Sequence, residues 1–157
     1  MWSSDLSYIP TKEGWLYLAV TLDLYARGVV GWAMEATMPA ELPLRALHVD
    51  RRNPAAGLLH HSDQGSQYTS GVFQTPLIQR GMICSMSRKG ECWDNAVSES
   101  FFETLKRELV DDQVYETREQ VRRAIFEYIE VYYNRKRLHS TLGYSMPEEA
   151  DRQALVA

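Results

Sequence analysis

Three short apolar runs joined by tight turns open this sequence, and they restrict what it can fold into. The middle run, Trp15–Leu24, is almost continuously apolar or β-branched, which is typical of a strand buried on both faces. Similar runs at Trp2–Ile9 and Val29–Met34 lie on either side of it, with turns at Gly14 and Gly28. Because connections this short force neighbouring strands to run in opposite directions, the sequence predicts a three-stranded antiparallel sheet.

Helices and short strands alternate in the remaining sequence. Two more strands are predicted at Leu58–His61 and Met82–Met86. Capping residues, glycines and prolines place the helices at residues 37–49, 69–80, 92–108, 117–134 and from Pro147 onward. This order predicts an α/β domain, a five-stranded mixed sheet flanked by helices. The 157 residues suit one domain, which we divide into a core, residues 1–110, and a C-terminal helical extension of that core, residues 111–157.

The helix predicted at residues 92–108 has an apolar and a polar face. An apolar stripe recurs every four residues and is predicted to face the core: Val97, Phe101, Leu105 and Leu109. Glu99 and Lys106 share a more polar face, which Asn95 joins, and either Asp94 or Asn95 is expected to cap the helix. On this helix alone, a solvated surface is the simpler interpretation of the polar face.

Three carboxylates are predicted to come together from separate elements. Asp5 lies inside the first strand, Asp63 follows the fourth, and Glu99 lies on the helix after the fifth. Strands one and four can be neighbours in a mixed sheet, and open α/β sheets bind ligands at the carboxyl ends of strands. Taken singly, the three acids also suit an edge strand, a turn and a helix surface. Clustered, they would bind two hard cations such as Mg²⁺, which clamp the attacking and leaving oxygens in phosphodiester chemistry.

The charge distribution restricts the partners. A net charge of −4 argues against a uniformly basic DNA-binding domain, but local basic clusters lie at Arg88-Lys89, Lys106-Arg107 and Arg135-Lys136-Arg137. The last cluster is either a phosphate-binding patch or a solvated surface. Gln64 either contacts DNA or caps its own loop. Because no apolar run reaches membrane-spanning length, we predict a cytoplasmic protein without a membrane partner.

Three longer phrases add a resemblance to a known family. Thirty-five residues separate Asp63 from Glu99, and Lys106 follows Glu99 by seven positions. The phrases are HHSDQGSQYTS, SMSRKGECWDNAVSESFFETLKRE and, near the end, YNRKRLHSTLGYSMPEE. In this order they resemble the OrfB-type transposases of bacterial insertion sequences, whose D,D,E catalytic core is also that of retroviral integrases. The resemblance extends from Trp2 to Glu149.

The resemblance implies a ribonuclease-H-like fold and a particular chemistry. Asp5, Asp63 and Glu99 would be the catalytic residues and the ligands of two Mg²⁺ or Mn²⁺ ions. The reactions of the family are strand nicking by water and strand transfer by a DNA 3′-hydroxyl, without a covalent enzyme intermediate. Lys106 would contact the donor DNA end. The other expected DNA contacts are Asn95, Gln64, Arg88, Lys89, Arg135, Lys136 and Arg137.

The resemblance also implies partners and leaves alternatives open. The expected partners are transposon ends and target DNA in the nucleoid, with a homo-oligomer assembled on the DNA. Such transposases normally carry an N-terminal helix-turn-helix segment, whereas this sequence starts directly before its first strand. A separate DNA-recognition polypeptide is therefore one expectation, and a non-catalytic remnant that binds DNA or a full-length partner is an alternative. Another is a nuclease for RNA:DNA hybrids, which uses the same metal chemistry.

Overall fold

The computed structural model describes residues 1–47, 52–87 and 95–156. The strands are β1 (Trp2–Thr11), β2 (Gly14–Asp23), β3 (Val29–Glu35), β4 (Leu59–Ser62) and β5 (Ile83–Met86). The α-helices are α1 (Glu41–Leu47), α2 (Ser66–Thr69), α3 (Gly71–Gln79), α4 (Ala96–Leu105), α5 (Arg118–Glu127) and α6 (Pro147–Val156). Helix α4 continues as a π-helical segment over Lys106–Val110 and α5 as another over Tyr128–Tyr133, and a 3-10 helix spans Ser140–Leu142.

The strands form one mixed sheet in the order β3-β2-β1-β4-β5. β1, β2 and β3 pair antiparallel, as the short turns predict. β4 pairs in parallel with β1 on one side and with β5 on the other. The predicted five-stranded mixed sheet is confirmed. The first and fourth strands, which the sequence allowed to be neighbours, do pair. β1 is therefore a central strand with β4 alongside its beginning.

The larger core lies between one face of the sheet and helices α4 and α5. It is built from buried side chains of β2, α4 and α5: Leu16, Leu18, Val20, Leu22, Phe101, Phe102, Leu105, Val121 and Ile125. The predicted stripe of α4 points into this core, with Phe101 and Leu105 buried and Val97 and Leu109 packed at its margin. Because α5 shares this core with the sheet, residues beyond 110 pack as part of the same hydrophobic unit.

Helices α1 and α3 cover the opposite face. Leu42 and Ala46 of α1 pack against Ala19, and Phe73 and Leu77 of α3 pack with Trp2. Helices on both faces explain why β1 and β2 bury side chains of both alternating sets. Among the described residues, no helix is both long and apolar enough to cross a membrane.

Several helix boundaries differ from the prediction. α1 begins at Glu41 rather than near Thr37, because a proline disfavours helical geometry in the residue before it, and Pro39 follows Met38. α2 occupies a stretch that was expected to be a loop, whereas Ser70 caps α3 as predicted.

A capping box opens α5 at the predicted start of this helix. The backbone N–H of Gln120 donates to Thr117 Oγ1 at 3.2 Å, and the backbone N–H of Thr117 donates to Gln120 Oε1 at 3.4 Å. These two bonds satisfy amide groups that the first helical turn leaves unpaired. The helix therefore starts where its sequence specifies.

Candidate active site

Asp5 lies on β1 and faces the core beneath α4. It is paired across the sheet with Val20, which belongs to that core, and the adjacent Leu6 N–H donates to Asp5 Oδ1 at 2.8 Å. Burial raises the pKa of Asp5 to about 6, with further upward contributions from the charges of Asp63 and Glu99. The Leu6 N–H and the Lys106 ammonium oppose this rise in pKa. A carboxylate in this position therefore carries its negative charge at a cost in free energy.

Asp63 directly follows the last residue of β4 and lies level with Asp5 on the neighbouring strand β1. The parallel register pairs Ser3 with His61, and the two aspartates come two residues later on their respective strands. The Gly65 N–H donates to Asp63 Oδ1 at 2.8 Å, which holds the carboxylate against its own loop. Since β1 and β4 are neighbours, the register brings two carboxylates from distant parts of the sequence to one edge of the sheet.

Glu99 reaches the same region from α4. The helix is attached to β1 by polar contacts of Ser3, whose Oγ donates to Asn95 Oδ1 at 3.3 Å and lies 3.2 Å from Ser98 Oγ. Glu99 itself is exposed. The three predicted carboxylates are thus close enough for Asp63 and Glu99 to raise the pKa of Asp5. Among the described residues, however, no three His, Cys, Asp or Glu side chains form a group that could hold a metal ion.

Lys106 lies beside these carboxylates, at the start of the π-helical continuation of α4. Its charge acts on the pKa of Asp5, and its Nζ lies 5.5 Å from the centre of the Tyr8 ring. A cation over an aromatic face is stabilised electrostatically. The lysine is therefore held between the acidic cluster and the exposed side of β1.

The other expected DNA contacts are distributed unevenly. Gln64 is exposed next to Asp63, whereas Asn95 is largely buried with its Oδ1 bonded to Ser3. Asn95 occupies the predicted capping position but makes no capping bond with its side chain. Arg88 and Lys89, like the alternative cap Asp94, lie outside the described residues.

The basic cluster near the C-terminus is partly occupied by internal pairs. Arg135 pairs with Glu148 at 3.6 Å, and Arg137 pairs with Glu108 at 3.5 Å while lying over the Tyr133 ring. Lys136 is exposed. All three assignments to DNA stay predictions.

Sequence reasoning missed a polar layer beneath the carboxylates. Ser4 Oγ lies 2.7 Å from both His60 Nε2 and Thr21 Oγ1, and all three residues are buried. Burial lowers the pKa of His60 to about 4, so the imidazole is neutral near pH 7. His61 is also buried, with Nδ1 3.1 Å from Ser85 Oγ. Both histidines are therefore packed inside the sheet, each beside a serine of a neighbouring strand.

Tyr68 is a second residue that the sequence did not single out. It is fully buried in α2, and its hydroxyl has no hydrogen-bond partner among the described residues. Burial, with smaller contributions from Asp5 and Asp63, raises its pKa well above the usual value. The hydroxyl is thus a neutral group adjacent to the two aspartates.

A five-stranded mixed sheet that carries acids on β1, after β4 and on α4 defines a ribonuclease-H-like domain. Solved structures of the same fold include the catalytic core of BIV integrase, with a TM-score of 0.67 at 16% identity, covering 98% of this chain and 93% of that one. The core of HTLV-2 integrase, solved in complex with magnesium, has a TM-score of 0.67 at 14% identity, with coverage of 95% and 93%. At these identities the likeness concerns the fold.

Family comparison agrees with the fold. The chain belongs to the integrase core domain family: one family model of that description matches residues 1–92, and a second matches residues 80–147. The transposase for insertion sequence element IS904 of Lactococcus lactis is 49% identical over 155 residues, or 97% of this chain and 61% of that protein. The InsF transposase for IS3A of Escherichia coli is 43% identical over 156 residues, or 98% and 54%. The chain spans about half to three-fifths of the length of these relatives.

Proposed function

We propose that this chain is the catalytic core of an insertion-sequence transposase, which nicks DNA and transfers a 3′-hydroxyl end to a target strand. The observation that carries the proposal is the convergence of Asp5, Asp63 and Glu99 from three elements onto one side of the sheet. Membership of the integrase core domain family and the similarity to insertion-sequence transposases support it.

The chemistry of the donor set fits a divalent cation. Three carboxylates supply only oxygen ligands, which Mg²⁺ and Mn²⁺ prefer. Burial is the main cause of the raised pKa of Asp5, and the negative charges of Asp63 and Glu99 add to it. Asp5, Asp63 and Glu99 would hold two such ions, although their side chains do not form a metal-binding group as they stand. When bound, the ions supply Lewis acidity and an activated nucleophile at neutral pH.

The residues of the chain have separable roles in this proposal. With a pKa of about 6, Asp5 is mostly a carboxylate near pH 7 and would serve as a ligand, and the Gly65 N–H keeps one oxygen of Asp63 oriented. Lys106 contacts the DNA strand that enters beside the carboxylates, where it also offsets part of their charge. No side-chain nucleophile is required, because the hydroxyl that attacks the phosphate comes from water or from DNA.

The proposed partners are DNA and further copies of the chain. Gln64 and Lys136 are exposed and are proposed to contact DNA, together with Arg135 and Arg137, whose internal pairs are exchanged for phosphate. Synapsis of two DNA ends requires at least two catalytic cores, so an oligomer is proposed to assemble on DNA. Recognition of the transposon ends is assigned to a further segment or polypeptide.

Titration calorimetry with Mn²⁺ tests the proposed site without relying on activity. Wild-type chain is expected to bind Mn²⁺ in the presence of duplex DNA, and Glu99→Gln is expected to lose this binding. Glu103→Gln is the matched control, because Glu103 is an exposed acid one turn along the same helix. Equal binding by Glu99→Gln would refute the ligand assignment, and absence of binding in folded wild type would favour the non-catalytic remnant.

Substituting Gly65 by Ala is expected to weaken Mn²⁺ binding about tenfold with little loss of stability. A Cβ at this position would lie 2.8 Å from Asp63 Oδ1, so the carboxylate has to move. The backbone is not strained by the change, because Gly65 has a φ of −58°. The expected factor corresponds to about 1.4 kcal/mol of lost orientation, within the usual range for supporting interactions at metal sites.

The control for this prediction is Gly71→Ala, whose new Cβ would meet its nearest side-chain atom at 3.8 Å, an ordinary contact. Metal affinity is measured by the same calorimetry and stability by urea unfolding. An unchanged affinity in Gly65→Ala would show that the position of Asp63 is not critical for the cation.

A further inference from the structure

An exposed aromatic groove lies on the sheet face opposite the carboxylates. Six residues of β1, β2 and the approach to α1 line a cavity of about 430 Å³: Leu6, Ser7, Tyr8, Trp15, Tyr17 and Met38. Helix α1 covers this face at Ala19 but not beyond Tyr17. Tyr8 and Trp15 are 53% and 48% exposed, which is unusual for large aromatic side chains on a central sheet.

The aromatic rings in this groove form a connected cluster. The Tyr8 and Trp15 rings are edge to face with centroids 4.8 Å apart, and Tyr8 contacts Tyr17 in the same manner at 6.4 Å. The strand register pairs Tyr8 with Tyr17 and Pro10 with Trp15, so the backbone fixes these rings on one face. A rigid cluster of partly exposed rings loses little conformational entropy on binding a flat ligand.

Lys106 links the groove to the candidate active site around the edge of β1. In the described residues, β4 pairs with β1 only at Trp2 and Ser3, so from Asp5 onward this edge of β1 has no strand beside it. Lys106 crosses that edge, because it acts on Asp5 on one face while its Nζ lies over Tyr8 on the other. If Lys106 contacts a DNA strand as proposed, the neighbouring nucleotides of that strand would lie within reach of the aromatic rings.

We propose that the groove lined by Tyr8, Trp15 and Tyr17 binds unpaired nucleobases of a DNA end by stacking, next to the scissile phosphate. This inference rests on the proposed function. It specifies the structure of the DNA substrate, namely an end whose terminal bases are unpaired. Aromatic side chains stack on any base, and a nearby cation attracts the connecting phosphates. None of the six lining residues is acidic, so the groove does not repel the strand.

DNA binding by Trp15→Ala, measured by fluorescence anisotropy in a chelating buffer, tests the proposal. The probes are a blunt duplex, the same duplex with a short unpaired 3′ overhang, and that overhang with abasic sites in place of its bases. Wild type is expected to bind the overhang with bases about tenfold more tightly than the abasic overhang. A difference of this size corresponds to the stacking of about one base. Trp15→Ala is expected to lose this preference without a change in affinity for the blunt duplex.

Two controls make the test specific. Trp15→Phe keeps a ring and is expected to retain most of the preference, and Phe126→Ala removes an exposed ring on α5 and is expected to leave it unchanged. Trp15→Ala is expected to fold, because the Trp15 side chain is about half exposed and the bond from Arg118 Nε is made to the backbone oxygen of Trp15. An unaltered preference in Trp15→Ala would overturn the proposal, as would a change in oligomeric state alone, which would make the groove an interface between copies.

The outcome is separable from that of the proposed function. The preference is measured without divalent ions and is expected to be the same in the Glu99→Gln background. Loss of metal-dependent nicking with a retained preference would reject the catalytic proposal alone. Intact nicking with a preference independent of Trp15 would reject the groove alone, and a chain that binds none of the probes would reject both.

Discussion

Glu99→Gln is expected to lower DNA strand nicking and strand transfer at least about a thousandfold while leaving the fold unchanged. The removed charge would be a ligand that contributes several kcal/mol of transition-state stabilisation, and each 1.36 kcal/mol corresponds to about a factor of ten in rate. Glu99 is exposed, and its side chain supports no hydrophobic contact of the core, so stability is not expected to fall. The assay follows nicking and end joining of labelled duplex DNA in Mg²⁺ or Mn²⁺.

Glu103→Gln is again the matched control, since it removes one exposed negative charge from the same helix without touching the site. Its activity is expected to stay within about twofold of wild type. Activity that survives in Glu99→Gln would mean that the third carboxylate is misassigned. Cleavage of an RNA:DNA hybrid but not of duplex DNA would instead favour the hybrid-specific nuclease.

Asp5→Asn is expected to raise the free energy of unfolding at pH 8, by at most about 3 kcal/mol, although it removes a proposed catalytic group. Burial, followed by the charges of Asp63 and Glu99, raises the pKa of Asp5 from 3.8 to about 6 in the folded chain. The protonated form is therefore favoured by folding, so this contribution to stability is complete below pH 3.8 and is lost as the pH rises through 6. The magnitude is the pKa shift converted at about 1.36 kcal/mol per unit.

The comparison is made by urea unfolding of both proteins in a chelating buffer between pH 4 and pH 8. At pH 4 the two should be nearly equal in stability, and the difference should grow toward pH 8. His60, whose pKa burial lowers to about 4, loses its stabilising contribution as the pH falls from 6.5, but it is present in both proteins and cancels. Asp112→Asn, at an exposed position outside the site, is the control and should show no such trend.

Added Mn²⁺ and DNA should reverse this ranking, because a ligand that binds the folded state stabilises it by mass action. Wild type should then gain stability and Asp5→Asn should not. A difference between the two proteins that does not depend on pH would contradict the electrostatic account. A wild-type chain that shows no response to Mn²⁺ and DNA would argue that Asp5 is not a ligand.

The sheet was predictable because its constraints are local. Short turns at Gly14 and Gly28 dictate antiparallel neighbours, and near-continuous apolar residues in Trp15–Leu24 dictate burial on both faces. The start of α5 was equally predictable, since its capping box involves only residues 117–120. The start of α1 and the presence of α2 were not predicted, because the local signals for both are weak. Pro39 delays the start of α1, and α2 forms where Tyr68 packs into the core.

The candidate site was predictable in its residues and not in its geometry. The spacing of Asp63, Glu99 and Lys106 and the surrounding phrases pointed to the three carboxylates and the lysine. Nothing in that spacing indicates that Asn95 turns inward to Ser3 or that Arg137 is paired with Glu108. These outcomes depend on contacts between residues 29 to 92 positions apart in the sequence, which local patterns do not encode.

The sequence by itself determined the elements, their order and the identity of the acidic side chains, because periodicity, turns and caps act over a few residues. Only the tertiary structure decided that β4 lies beside β1, which sets Asp63 at the level of Asp5 and lets its charge raise the pKa of Asp5. It also decided that the edge of β1 beyond Ser3 is unpaired in the described residues, so that Lys106 spans from the carboxylates to the aromatic groove. Strand pairing and charge interactions act through space, and they exist only once the chain has folded.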